Sequence, residues 1–375
     1  MQENTPLLRT SLFEVHRAAG GKLVPFAGWE MPVQYEGVKA ETLAVRNSCG
    51  LFDVSHMGQL DVSGPGVTEA LNAVVSADWS TVAVGRSAYG LLLTEDGGVQ
   101  DDIMGYKLAD DRWLVVVNAS RADVDEAHFR AQLPESIQLA NRYDNQAMIA
   151  IQGPDAEALF QKFCDLDLSP LKIRDVREVT VLGQPAIIAR GGYTGCDGFE
   201  WMGDAATAAA LWEKLIEAGA APAGLGARDI LRLEAGLPLY GHELREEWTP
   251  DESNVNFAVK PQKGPFFGRD ALVKRRETVT AKTLRGVKMQ GKAIAREGYP
   301  VVFGGEEIGV VTSGSPSPTL EANIALALIS ADLPLGGEVE ISIRGTLHMA
   351  QIVALPFVPR TTKTTATAVA APATS

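Results

Sequence analysis

The segment that begins at Gly97-Gly98 constrains the fold more than any other. The glycine pair predicts a tight reversal, and residues 99–106 favour extended backbone. Apolar runs stand on both sides of this segment, at 91–93 and 113–117. Three consecutive strands are therefore expected, and the middle strand carries two adjacent carboxylates, Asp101-Asp102.

Strand geometry separates these two carboxylates, because successive side chains point to opposite faces. The predicted faces are Asp102, Met104 and Tyr106 on one side and Asp101, Ile103 and Gly105 on the other. A carboxylate beside a methionine and a tyrosine is partly desolvated, and desolvation raises a carboxyl pKa. Asp102 is therefore a candidate for proton chemistry.

Composition and charge exclude several classes of protein. The 375 residues suffice for two or three domains, and the net charge of −13 argues against a general nucleic-acid binder. The first six residues lack the basic and apolar segments of a signal peptide, and the apolar runs are too short to cross a membrane. We expect a cytoplasmic protein with neither a nucleic-acid nor a membrane partner.

The cysteines and histidines do not form a metal framework. The three cysteines, Cys49, Cys164 and Cys196, are odd in number and widely spaced, which indicates reduced thiols. The five histidines are scattered, without a pair at ligand spacing. No bound metal is expected.

One segment reverses the charge of the chain. Residues 260–296, here called the basic segment, contain 11 Lys or Arg and two acids, a net charge of +9. The rest of the chain then carries 23 basic and 45 acidic residues, a net charge of −22. Two interpretations are open: a solvated helix with its flanks, or a docking surface for an acidic protein or a polyanionic ligand tail.

The order of predicted elements indicates an α+β fold, because helices and strands mix without strict alternation. Predicted helices are Leu7–Ala19, Lys39–Asn47, Arg121–Gln132, Ala205–Ala218 and Ala227–Ala235. An aromatic loop is expected at Pro25–Pro32, and a turn-rich structural segment or cleft rim at Thr312–Thr319. After Phe257, short strands between Gly or Pro turns predict a small β-sandwich or barrel, and the tail 361–375 has the composition of a disordered segment.

Two further motifs carry polar groups with alternative interpretations. Arg228 and Arg232 are four residues apart on one helix face, where they could pair with surface carboxylates or grip a planar or anionic ligand. The turn at Tyr193–Gly198 leads to Glu200, which is either exposed on a hairpin or a carboxylate that binds a ring amide and amine.

Taken together, these segments resemble the aminomethyltransferase of the glycine cleavage system, the T-protein family. The resemblance extends over roughly residues 5–360, in the order of the family. Its matching stretches are Val24–Pro32, Gly50–Met57, Gly97–Asp102, Gly192–Gly195, Gly224–Asp229, Leu231–Gly236 and Thr312–Gly314.

The resemblance implies a fold and a reaction. The fold is a three-domain cloverleaf around a central folate cavity, with a small barrel or jelly-roll-like domain at the C-terminus. The implied domains are 1–50 with 145–256, then 51–144, then 257–360 including the basic segment, followed by the tail. The reaction moves the methylene carbon of an aminomethyl group, held on the dihydrolipoyl arm of H-protein, to tetrahydrofolate, releasing ammonia and giving 5,10-methylenetetrahydrofolate.

The resemblance also assigns residues and partners. Asp102 corresponds to the catalytic carboxylate of the family, and Glu200 to the carboxylate that binds the pterin ring. The other implied folate-pocket residues are Tyr89, Met104, Tyr106, Asn118, Tyr193, Arg228 and Arg232. Tetrahydrofolate is the implied co-substrate, without a metal. Lipoylated H-protein, docked on the basic segment, and the other glycine cleavage proteins are the implied partners.

Two relatives of this family are alternatives. A folate-dependent demethylase would share the fold and the folate pocket but would take a small N-methyl or sulfonium donor instead of H-protein. A folate-binding iron–sulfur assembly factor would share the fold without transferase activity. Its characteristic Lys-Gly-Cys-Tyr-x-Gly-Gln-Glu motif is absent from this sequence.

Overall fold

A computed structural model describes residues 6–143, 145–277 and 282–362. The α-helices in these ranges are α1 (Phe13–Ala18), α2 (Val38–Asn47), α3 (Val67–Asn72), α4 (Ala122–Gln132), α5 (Ala156–Phe160), α6 (Ala205–Glu217), α7 (Leu225–Glu234) and α8 (Arg269–Glu277). Short 3₁₀ helices lie at Trp79–Thr81, Asn256–Ala258 and Pro261–Lys263. The predicted disordered tail lies outside the described residues from position 363 onwards.

The strands fall into a hairpin, two open sheets and a barrel. Those of the first part of the chain are β1 (Lys22–Phe26), β2 (Trp29–Gln34), β3 (Gly50–Asp53), β4 (Gly58–Ser63), β5 (Arg86–Leu93), β6 (Val99–Ala109), β7 (Arg112–Val117), β8 (Gln138–Asn141) and β9 (Gln146–Gln152). Those of the second part are β10 (Val176–Val181), β11 (Gln184–Arg190), β12 (Gly198–Asp204), β13 (Ala221–Pro222), β14 (Lys282–Met289), β15 (Pro300–Phe303), β16 (Glu306–Ser317), β17 (Ala322–Ser330), β18 (Glu338–Ile343) and β19 (Thr346–Val353).

The two open sheets pack face to face, and this packing positions the site. One sheet has the strand order β10-β11-β12-β9-β3-β13 and the other the order β5-β6-β7-β4-β8. Their shared core joins Phe52 and Met148 of the first sheet to Tyr106 and Leu114 of the second. Burial of apolar surface between the sheets thus brings β6 against β12, whose residues are distant in sequence.

The outer face of the second sheet has a core of its own. Trp79 stacks on Trp113 with ring centroids 5.0 Å apart, and Ile103 packs in the same cluster. A side chain at Gly105 would place a Cβ 2.5 Å from the ring of Trp79. The glycine in the middle of β6 is therefore a packing requirement, and it lies on the face predicted for it.

The C-terminal strands close into a barrel in the order β14-β17-β16-β15-β18-β19. Two buried hydrogen bonds tie this barrel to α7. Arg232 Nη2 donates to Ser313 Oγ (2.8 Å), and Ser317 Oγ donates to Glu234 Oε1 (2.6 Å). The α+β class and the C-terminal barrel predicted from the sequence are confirmed, whereas the domain boundaries stay a prediction.

Two N-terminal predictions were wrong. The first helix begins at Phe13 rather than Leu7, because the Leu8 amide donates to the Gly28 carbonyl and the Glu30 amide donates to the Leu8 carbonyl, both at 2.9 Å. These bonds hold Leu8 extended beside β2. The segment Pro25–Pro32 is not a loop but the tip and arms of the β1–β2 hairpin.

The segment Thr312–Thr319 also differs from expectation. Most of it belongs to β16, which runs to Ser317 and pairs with β17. Its serines, glycine and proline favour turns locally. The neighbouring strand satisfies the backbone of this segment, however, so tertiary pairing overrides the local preference.

Candidate active site

Asp102 lies on β6 between two polar neighbours. Tyr89 on β5 donates its hydroxyl to Asp102 Oδ2 (3.1 Å), and Asn118, directly after β7, donates from Nδ2 to Asp102 Oδ1 (2.8 Å). Both contacts follow from the sheet order, because β6 pairs with β5 on one side and β7 on the other. The Asp102 side chain is partly exposed, so it has a defined orientation and remains accessible.

The electrostatic environment keeps Asp102 close to its titration point at neutral pH. Burial, followed by the negative charge of Asp101, raises the pKa of Asp102 from 3.8 to about 7. The hydrogen bonds from Asn118 and Tyr89 act in the opposite direction, because they stabilise the ionised form. A carboxyl group with this pKa can both hold and release a proton near neutral pH.

Asp101 lies on the opposite face of β6 and is fully buried. Asn118 donates to it twice, from the backbone amide to Oδ2 (3.0 Å) and from Nδ2 to Oδ1 (2.8 Å). Burial, and then the charge of Asp125, raises the pKa of Asp101 far above its usual range. The predicted separation of the two carboxylates by face is confirmed, and Asn118 connects them at the strand edge.

Glu200 on β12 faces this part of β6 across the packed sheets. Tyr106 donates its hydroxyl to Glu200 Oε2 (3.1 Å). Burial raises the pKa of Glu200, and the nearby Arg228 and Tyr106 oppose that shift. The interpretation of Glu200 as an exposed hairpin residue was wrong, because the packing of the sheets half-buries it.

Arg228 lies on the first turn of α7, close to Glu200. Together with Asp102, Tyr106 and Glu200 it forms one polar surface. Its guanidinium lies 5.0 Å from the centre of the Tyr193 ring, and the Tyr193 hydroxyl donates to the Pro238 carbonyl. Arg228 Nη1 is buried and has no hydrogen-bond partner among the described residues. Tyr193 is within electrostatic reach of Asp102 as well as Arg228, so the two ends of the surface meet at this ring.

Arg232 differs from Arg228, although the two were predicted to share a role. It is buried, its Nη1 donates to the buried Glu243 (2.8 Å), and its Nε donates to Asp229 (2.8 Å). Its remaining guanidinium nitrogen, Nη2, donates to Ser313 of the barrel. These contacts favour a structural role for Arg232, and its role in ligand binding stays a prediction.

Two neighbours of the site were not predicted from the sequence. Asp125 lies on α4 against Asp101, and Phe257 stacks on Tyr89 with ring centroids 5.7 Å apart while 58% exposed. A signal for Asp125 was present, because it shares the buried face of α4 with Ala122 and Phe129. A carboxylate in an apolar helical stripe indicates a buried polar contact. Nothing local in the sequence marks Phe257.

Within the described ranges, no group of three or more His, Cys, Asp or Glu side chains is arranged to hold a metal ion. In the same ranges, no helix is long and apolar enough to cross a membrane.

Comparison with known proteins identifies the class. The chain matches the GCVT N-terminal domain over residues 12–263 and the glycine cleavage T-protein C-terminal barrel domain over residues 282–359. These two matches follow the division between the packed sheets and the closed barrel. Fold and domain content therefore define a protein of the glycine cleavage T-protein class.

Individual relatives place the chain within that class. It is 49% identical over 356 residues to an aminomethyltransferase of Rubrobacter xylanophilus, covering 94% of this chain and 95% of the relative. An aminomethyltransferase of a Synechococcus species is 44% identical, covering 94% of this chain and 99% of the relative. The crystal structure of glycine cleavage system aminomethyltransferase T from Bartonella henselae matches with a TM-score of 0.90 at 34% identity, covering 96% of this chain and all of the other. The chain belongs to the aminomethyltransferase family of the glycine cleavage system.

Proposed function

We propose that this aminomethyltransferase transfers the methylene carbon of the aminomethyl group on the dihydrolipoyl arm of H-protein to tetrahydrofolate, with release of ammonia, and that Asp102 is its catalytic carboxylate. The observation that carries the assignment to Asp102 is its environment. It is partly exposed, its pKa is about 7, and Tyr89 and Asn118 hold its two oxygens. Its neighbour Asp101 is sealed in the core and is not accessible to a substrate.

The polar surface between Glu200 and Arg228 fits the pterin ring of a folate. Among the described residues Glu200 accepts one hydrogen bond, from Tyr106, which leaves lone pairs for a ring amide and amine. Arg228 Nη1 is a buried donor without a partner, and such a donor is costly unless a ligand satisfies it. Met104, on the same face as Asp102 and Tyr106, packs against the core between the sheets and supplies an apolar wall.

The chemistry of Asp102 follows from its charge and position. When bound, tetrahydrofolate supplies the nitrogen nucleophiles that accept the carbon. Ionised Asp102 stabilises the positive charge that develops on the one-carbon unit as ammonia leaves. Its Oδ1 or Oδ2 accepts the proton that the attacking folate nitrogen loses, and the bond from the carbon to the dihydrolipoyl sulfur breaks to release the thiol. Tyr89 and Asn118 keep those oxygens oriented, so little reorganisation accompanies the transfer.

The substitution Asp102→Asn tests this assignment, because it keeps the shape of the side chain and removes the charge. We expect tetrahydrofolate to bind with nearly normal affinity, measured by titration calorimetry, while turnover with aminomethylated H-protein falls by a factor of about 100 or more. Asp96→Asn, on the exposed turn before β6, is the matched control and keeps its turnover. Near-normal turnover of the Asp102→Asn enzyme would refute the role of Asp102.

The exposed lysines of the basic segment are the proposed docking surface for H-protein. Several cations of the segment are engaged within the chain: Arg276 Nε donates to Asp251 (2.8 Å), and Lys263 Nζ donates to main-chain carbonyls. The cations left exposed include Lys274, Lys288 and Lys292. These side chains keep their charge available for an acidic partner.

Reversing the charge of these exposed lysines tests their role in docking. Changing Lys274, Lys288 and Lys292 to Glu should raise the KM for H-protein several-fold at low salt and less at high salt, without changing the Kd for tetrahydrofolate. Lys162→Glu, an exposed lysine outside the segment, is the control and leaves the KM unchanged. An unchanged KM of the triple variant at every ionic strength would remove the basic segment from the interface.

A further inference from the structure

Asp125 has a buried oxygen that lacks a donor. The residue lies on the first turn of α4 and is fully buried. Gln100 donates from Nε2 to Asp125 Oδ1 (3.0 Å), but no hydrogen-bond partner among the described residues reaches Oδ2. The group next to it is the carboxyl of Asp101, which already accepts two hydrogen bonds from Asn118. Two ionised carboxylates in this position would repel each other and leave Oδ2 bare.

We propose that Asp101 and Asp125 share one proton, so that the pair carries a single negative charge at neutral pH and Asp125 acts as a positioning residue for Asp102. One hydrogen between the two carboxyls supplies the missing donor and removes the repulsion. The inference rests on the proposed role of Asp102. It concerns the pair, not which of the two oxygens holds the hydrogen.

Few other titratable groups lie near the carboxyls of Asp101, Asp102 and Asp125. The titratable or charged side chains that face them from the packed elements are Tyr89, Tyr143, Tyr193, Tyr240 and Arg121. Burial raises the pKa of each of these tyrosines, so their phenols stay neutral near pH 7. Arg121 donates to Glu246 (2.5 Å). The positive charge of Arg121 is therefore shared between Glu246 and Asp125.

The shared proton has a consequence for Asp102. Asp125 supports Asp101, Asp101 holds Asn118 through two hydrogen bonds, and Asn118 holds Asp102 Oδ1. The pair presents one constant negative charge to Asp102 over the working pH range. A doubly ionised pair would raise the pKa of Asp102 further, and a neutral pair would lower it. The single charge therefore keeps Asp102 ready to exchange a proton near pH 7.

Infrared spectroscopy of the full-length protein tests the proton without measuring activity. At about pH 9, Asp102 is ionised, and a protonated-carboxyl band that Glu200→Gln retains belongs to the pair rather than to Glu200, whose pKa burial also raises. We expect this band in the wild type, in Asp102→Asn and in the control Asp123→Asn, whose side chain is exposed on the same helical turn. It should disappear in Asp101→Asn and in Asp125→Asn, because each leaves one carboxylate that an amide can satisfy. A wild type without the band, or a band that survives both substitutions, would overturn the proposal.

The pH dependence of turnover reports the net charge of the Asp101–Asp125 pair. The single variant Asp125→Asn keeps one negative charge on Asp101, the residue whose charge acts on Asp102, so the midpoint of the acidic limb should not fall by more than about 0.3 pH unit below that of the wild type. The double variant loses that charge, and its midpoint should fall by on the order of 1 pH unit. A downward shift in Asp125→Asn would indicate a doubly ionised pair, and no shift in the double variant would indicate a neutral pair. Either result contradicts the inference.

The two measurements also separate this inference from the proposed function. If Asp102→Asn keeps its turnover while the infrared band is present, the catalytic role of Asp102 fails and the shared proton stands. If Asp102→Asn loses turnover while the wild type lacks the band, the catalytic role stands and the shared proton fails.

Discussion

The raised pKa of Asp102 makes the stability of this protein depend on pH in a predictable way. In the unfolded chain an aspartate ionises near its ordinary value, whereas in the folded protein the pKa of Asp102 is about 7. Between these values the folded state binds a proton that the unfolded state has lost, so stability falls as pH rises. The loss is absent below about pH 4 and complete above about pH 7.

The size of this loss follows from the two pKa values. Raising the pKa from 3.8 to about 7, at about 1.4 kcal/mol per pH unit, gives an upper figure of about 4 kcal/mol. The variant Asp102→Asn escapes the loss but cannot accept both hydrogen bonds from Tyr89 and Asn118, which costs about 1–2 kcal/mol. The variant should therefore be slightly less stable than the wild type near pH 4 and about 2–3 kcal/mol more stable near pH 8.

Urea unfolding followed by circular dichroism, at intervals from about pH 4 to pH 8, measures the difference. The two stability curves should cross between about pH 4.5 and pH 5.5. Asp96→Asn, with the same chemical change on an exposed turn, should track the wild type throughout. A difference between Asp102→Asn and the wild type that does not change with pH would contradict the raised pKa of Asp102.

Three further perturbations test other contacts. Glu234→Gln removes the counter-charge of the largely buried Arg46, which lies 2.7 Å from Glu234, and should lower the free energy of unfolding, measured by urea titration, by about 3–5 kcal/mol. Lys263→Met removes the ammonium that binds carbonyls at the end of α3 and should lower the thermal midpoint while the KM for H-protein stays unchanged. Tyr106→Phe removes a donor to Glu200, so the pKa of Glu200 rises further. The Kd for tetrahydrofolate should therefore increase more at about pH 6 than at about pH 8.

Local patterns were sufficient for much of this molecule. The alternation of side chains along β6 correctly placed Asp102 with Tyr106 and Asp101 with Ile103, because alternation is a property of extended backbone itself. Helix α6 begins at Ala205, as predicted, and the Asp204 side chain caps it by accepting from the Ala206 amide (2.7 Å).

Other features depended on partners far along the chain. Leu8 is extended rather than helical because a hairpin at Gly28 and Glu30 occupies its backbone groups. Thr312 and its neighbours form a strand because β17 lies beside them. Local preference is weak compared with a satisfied backbone, so a sequence that favours turns can still pair as a strand.

The residue types of the site and the face of β6 on which Asp102 lies follow from the sequence alone. The packing of the folded chain, in contrast, creates the environment that raises the pKa of Asp102. The contact between Tyr106 and Glu200 joins residues 94 positions apart, and Asp125 reaches Asp101 only because α4 packs on the sheet. Burial and neighbouring charge set a pKa, and both arise when the sheets and helices pack together.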